Sequence, residues 1–110
     1  MKIINLTPHT LNIYDSANDL VETVPPSGMV ARANVTRTLV EKRGHIEMYA
    51  SVFFGAKALG APEPDGVYVV SALYLSALRA AGLDDTGVYV PGEAVRDEAG
   101  RVIGCVGLSR

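Results

Sequence analysis

The stretch that most limits how this chain folds is Val67 to Val90. Val67-Tyr68-Val69-Val70 is an unbroken β-branched and aromatic run, the composition of a strand covered on both faces. Ser71 follows as an N-cap. Leu73 to Ala81 is rich in Ala and Leu, Leu75 and Leu78 stand at helical spacing, and Gly82 is a natural C′ stop. The spacing predicts one main α-helix over about residues 72–81. Asp84-Asp85-Thr86-Gly87 then turns the chain into a second strand, Val88-Tyr89-Val90, which Pro91-Gly92 is expected to end. Strand, helix and strand in one sheet call for parallel strands with a right-handed crossover.

The rest of the chain reads as β-structure broken by turns. Lys2 to Leu6 and Thr10 to Tyr14 flank Pro8, and the interval from Leu6 to Leu11 looks like a hairpin connection. Asp15 to Asp19 is a turn, and Leu20 to Val24 is a strand stopped by Pro25-Pro26-Ser27-Gly28. Met29 to Thr38 alternates as a strand with a polar face. Glu41 to His45 reads as an exposed hairpin tip, with Ile46 to Phe54 returning along the preceding strand. Gly55 to Gly66 is a loop. Arg96 to Arg101 is a turn before the last strand, Val102 to Leu108. The expected fold is α+β, a mostly antiparallel mixed sheet carrying one main helix. A chain of 110 residues suits a single domain over residues 1–110.

Composition excludes several function classes. The net charge is −2 and no basic run exceeds Lys42-Arg43, so bulk nucleic-acid binding is not expected. A small anionic ligand needs only local charge and stays open. No stretch has the roughly 18 apolar residues of a membrane span. The short run before Asn5 does not read as a signal peptide, so a cytoplasmic protein is expected. The single cysteine, Cys105, excludes an internal disulfide and a Cys-rich zinc site. Two histidines without metal-ligand spacing leave no expected metal or cofactor.

Four constellations carry candidate chemistry, each with a plainer reading beside it. Ser71 opens a helix, whose free N–H groups and partial positive charge attract phosphate; equally, it is a cap. Asn5, Thr7 and His9 offer hydrogen bonds to a base edge or phosphate; equally, they form an Asx or ST turn around Pro8. Arg32, after Pro26-Ser27-Gly28 and expected mid-strand, suits bidentate phosphate recognition; equally, it is a solvated surface charge or an ion-pair partner. Arg96 is expected to pair with Asp97. Tyr89 is suited to stacking on a base or to core packing. The templates for an enzyme are weaker: a Cys–His pair would need Cys105 beside His9, and the carboxylates are scattered over turns.

Several motifs together resemble a widespread family of small phage and prophage proteins. They are Asn5-Leu6-Thr7-Pro8-His9, Pro26-Ser27-Gly28-x-x-Ala31-Arg32, Tyr68-x-Val70-Ser71 and Val88-Tyr89-Val90-Pro91-Gly92. The closing motif is Val95-Arg96-Asp97-x-x-Gly100-Arg101-Val102-Ile103-Gly104-Cys105-x-Gly107-Leu108. The chain is also similar in kind to viral anti-CBASS sponges, which bind cyclic dinucleotide defence signals without cleaving them and act as oligomers. That resemblance implies a ligand site built from Thr7, His9, Ser27, Arg32 and Ser71, shared between subunits. Asn5, Tyr89 and Arg96 complete the candidate set. The expected partners are a small nucleotide signal and further copies of the chain in a dimer or tetramer. The alternatives are a small structural or interaction protein of a phage particle, and a small hydrolase.

Overall fold

The computed structural model describes the whole chain, Met1 to Arg110. Its elements run β1 (Lys2–Asn5), β2 (Leu11–Tyr14), β3 (Leu20–Val24), β4 (Asn34–Arg43), β5 (Ile46–Phe54), β6 (Gly66–Val69), α1 (Ala72–Ala80), β7 (Val88–Arg96) and β8 (Val102–Ser109). The fold is α+β with a mixed sheet, mainly strand, and one short helix. The six-stranded sheet has the order β1-β6-β7-β8-β2-β3, and β4 with β5 forms a separate two-stranded sheet. In the larger sheet β1, β6 and β7 are mutually parallel, and β2 is parallel to β8. The β7–β8 and β2–β3 pairs are antiparallel.

The region from Val67 to Val90 forms as its sequence requires. β6 and β7 are adjacent and parallel, joined by α1. Ser71 caps the helix by accepting a bond from the Tyr74 amide at 3.2 Å, and Gly82 turns the chain with φ +68°. β7 does not stop at Pro91-Gly92. It continues to Arg96, with Pro91 opposite Leu108 and Glu93 opposite Val106. Gly92 makes this possible: a Cβ there would lie 2.0 Å from the Val106 carbonyl oxygen. The residue that looks like a strand breaker is where β7 and β8 come closest.

The expected β1–β2 hairpin is replaced by a longer-range arrangement. β1 and β2 stand first and fifth in the sheet. Four strand spacings in a flat sheet span about 19 Å. Only Leu6 to Thr10 connects the two strands, and that connection is folded: the Asn5 side-chain amide donates to the His9 carbonyl at 2.8 Å. So short a link requires the sheet to curl until its two edges approach. The same Asn5 amide donates to the Val24 carbonyl of β3 at 3.1 Å, which ties the edges together. Just beyond, the Ser27 amide bonds the Asn5 carbonyl and the Ala31 amide bonds the Leu6 carbonyl, each at 2.9 Å. The result is a partly closed barrel, sealed at the end of β1 and open between β1 and β3 elsewhere.

Two cores follow. Inside the curl, Leu11, Ile13, Val69 and Cys105 pack with Ile3, Val24 and Leu108. Outside it, Tyr74, Leu75 and Leu78 of α1 cover Leu6, Val70 and Val88. Burying each large aliphatic side chain is worth about 1.5–3 kcal/mol. Tyr74 also anchors the loop after β5: its hydroxyl donates to the Lys57 carbonyl at 2.6 Å and accepts from the Lys57 amide at 3.1 Å.

The β4–β5 hairpin projects from this body. Every residue of β4 is exposed, and only Met48 and Phe53 of β5 are half-buried. The radius of gyration is 16.5 Å, against about 13 Å for a compact domain of this length. The tip of the β4–β5 arm is a two-residue turn, Gly44-His45, with Gly44 at φ +60° as a tight hairpin turn requires.

Candidate functional site

The candidate site lies around Pro8, where the β1–β2 connection meets the start of α1. Two clefts share Thr7, Pro8 and Ser71. The larger, about 850 Å3, is walled on its polar side by Thr7, His9 and Ser71 and on its apolar side by Val90, Pro91 and Ile103. The smaller, about 490 Å3, is lined by Arg32, Asn34 and Ser71 with Val30 and Leu73. Both volumes fall in the range of small-molecule sites.

The turn beneath these clefts is organised by Asn5, which is 1% exposed. Its Oδ1 accepts from the Thr7 amide at 3.0 Å and the Thr7 hydroxyl at 2.7 Å, and its Nδ2 donates to His9 and Val24 carbonyls. Both polar atoms are therefore engaged inside the protein. Asn5 has no surface to offer a ligand and acts as the positioning residue of the turn, the Asx reading of that motif. Thr7 is also largely buried and receives the His9 amide on its hydroxyl at 3.4 Å. His9 is exposed on the rim of the larger cleft.

Ser71 stands at the junction of both clefts, and Ala72 and Leu73 behind it are the first residues of the helix. The first amides of a helix have no intrahelical acceptor and carry partial positive charge. Arg32 lies in the extended segment before β4 and not mid-strand, because the Ala31 amide is bound to Leu6 and the arm ladder begins at Asn34. Its guanidinium makes no ion pair, and the residue lines the smaller cleft. None of the 12 Asp and Glu residues lines either cleft. Arg32 is the one Lys, Arg, Asp or Glu that lines either cleft.

The remaining candidates lie elsewhere. Ser27 lines neither cleft; its hydroxyl closes a turn with Met29, donating to the carbonyl at 3.2 Å and accepting from the amide at 3.3 Å. Tyr89 faces the opposite, apolar mouth of the barrel with Ile3, Ile13 and Leu108, under the Arg110 guanidinium. Arg96 donates to the Gly100 carbonyl at 2.8 Å, while Asp97 pairs instead with Arg101 at 3.1 Å. The groove beside Arg96 includes the Glu93 carboxylate, a poor setting for an anion.

Cys105 and His9 line the same cleft, yet Cys105 is 5% exposed and no hydrogen bond joins the thiol to the imidazole. No cluster of three or more His, Cys, Asp or Glu side chains is placed to hold a metal, and no helix is long and apolar enough to cross a membrane.

Sequence reasoning missed the far wall of the larger cleft, made by Leu11, Asn12 and the start of β8. Asn12 donates to the Ile103 carbonyl at 3.2 Å and accepts from Thr23 at 3.1 Å. Gly104 allows this approach, since a Cβ there would be 2.4 Å from the Asn12 carbonyl oxygen. The polar Asn12 within an apolar strand and the glycine in the final strand were the available signals. In comparisons with protein-family models, curated proteins and solved structures, the chain matches none.

Proposed function

We propose that this chain is a binding protein that sequesters a small nucleotide signal of the cyclic dinucleotide class without cleaving it. The observation that carries the reading is the pair of clefts that share Thr7 and Ser71, which combine Arg32 and a helix N-terminus with no carboxylate. Phosphates suit Arg32 and the free amides at the start of α1. Bases suit the slot between His9 and the apolar wall of Val90, Pro91 and Ile103. The same reading places the protein in the host cell cytoplasm, as a homo-oligomer acting in phage immune evasion. A small interaction protein of a phage particle is the second reading, favoured by the exposed β4–β5 arm.

The test is titration of a cyclic dinucleotide into the unaltered protein and into Arg32→Ala. Arg32 has no internal ion pair, so the variant is expected to melt with the parent. A charge-assisted hydrogen bond is worth about 1.5–3 kcal/mol, so affinity should fall roughly ten- to a hundredfold. Equal affinity in both proteins would remove Arg32 from the site. No binding to either would favour the interaction protein.

A further inference from the structure

The β4–β5 arm carries an inference that does not depend on what the clefts hold. Seven large apolar side chains on it, among them Leu39, Val40, Ile46, Tyr49 and Phe54, are 43% to 64% exposed. The register puts Val35, Leu39 and Tyr49 on one face of the arm and Ile46, Val52 and Phe54 on the other, so both faces are apolar. A two-stranded hairpin standing alone in water is also marginal.

The two edges of the arm differ. β4 is interrupted by a bulge between Leu39 and Glu41 and carries Arg37, Glu41, Lys42 and Arg43. Bulges and charges are the usual means of blunting an edge. β5 has neither. Its nine residues run Ile46-Glu47-Met48-Tyr49-Ala50-Ser51-Val52-Phe53-Phe54, with one charge, no proline, no glycine and no bulge of their own. No backbone amide or carbonyl of the arm bonds anything outside it. A long, apolar edge of this kind is a template for another strand.

We propose that β5 pairs with β5 of a second copy of this chain, antiparallel across a twofold axis, making a continuous four-stranded sheet from two arms. Identical strands related by a twofold axis pair only antiparallel, and the interface is closed, so assembly stops at the dimer. The blunted β4 strands form its outer edges. Association satisfies the outer backbone groups of β5 and sets the β5 side chains of the two copies side by side across the new strand pair.

The test is a cysteine scan along β5 in a Cys105→Ser background: Met48→Cys, Tyr49→Cys, Ala50→Cys, Ser51→Cys and Val52→Cys, each oxidised separately. Thermal melts confirm that the body remains folded, and light scattering gives the mass of the unsubstituted protein. A cysteine on the axis faces its own copy at a Cα separation of about 4.5–5.5 Å, within disulfide range. One residue away, the two copies lie about 8 Å apart, outside that range. The expected result is a dimer by mass and a sharp cross-linking maximum at one β5 position. A monomer at every concentration, or a dimer whose β5 cysteines cross-link evenly or not at all, would overturn the proposal. Neither readout uses a nucleotide, so failure here is distinct from failure of the proposed function.

Discussion

Replacing Asn5 with Ala removes four hydrogen bonds from a side chain that is 1% exposed. The partners are the Thr7 amide and hydroxyl and the carbonyls of His9 and Val24. A hydrogen bond is worth about 0.5–1.5 kcal/mol net, and a buried group left unpaired costs about 1–3 kcal/mol. The His9 carbonyl lies 3.1 Å from the Thr7 hydroxyl, which can turn to it once Oδ1 is gone. The expected loss is therefore about 3 kcal/mol, below the sum of four full bonds. For a domain of this size that lowers the melting temperature by roughly 15 °C.

The charge-changing variant makes the test sharper. Asn5→Asp keeps an acceptor toward Thr7 and turns a second acceptor against the two carbonyls. Burial and that contact raise the new carboxyl above its usual value near 3.9. A carboxyl raised in the folded state is favoured when protonated. The deficit of Asn5→Asp relative to the parent should therefore shrink as pH falls through the folded value, and be largest at neutral pH. Differential scanning calorimetry across that range reads both effects. If Asn5→Ala melts within a few degrees of the parent, Asn5 does not close the barrel and the account of the curled sheet fails.

Three further perturbations test other parts of the fold. Gly92→Ala places a methyl 2.0 Å from the Val106 carbonyl oxygen, and should cost about 1–3 kcal/mol by parting β7 from β8, read as a lower urea midpoint. Leu78→Ala empties a fully buried position under the helix, with an expected loss of about 2–5 kcal/mol in the same assay. The Arg79 guanidinium, reinforced by Arg110, holds the Asp85 carboxyl below the usual carboxylate range, and Thr86 does the same for Asp84. These depressed values contribute stability above the unfolded value near 3.9 that is lost as pH falls through the folded values. Urea midpoints should drop in that window, and Arg79→Ala should make the drop shallower.

Local signals were the legible part of this protein. The run Val67 to Val70, the Ser71 cap and the Leu75–Leu78 spacing lead to β6 and α1 because neighbouring residues determine them. The hairpin tip before Ile46 was readable for the same reason. Long-range pairing was not. Nothing near Asn5 announces that β1 pairs with Gly66–Val69, some sixty residues on, rather than with β2. Pro91-Gly92 carries a breaker's composition, but the close approach of β8 makes it part of a strand. At the site, Thr7 comes beside Ser71 because β1 and β6 run parallel with Asn5 opposite Val69, while His9 lines the larger cleft and Arg32 the smaller. Tyr89 and Arg96 have suitable chemistry but lie at other ends of their strand. Residue type suggested them; only the topology separates them.

The central claim is binding without turnover. The most direct measurement incubates a cyclic dinucleotide with excess protein, removes the protein with its bound ligand, unfolds it by heat and chromatographs what is released. The account predicts that the free ligand disappears, returns chemically intact on heating, and needs roughly ten- to a hundredfold more protein to be captured when Arg32→Ala is used. Ligand that never leaves solution, or that returns as a cleaved product, would contradict it.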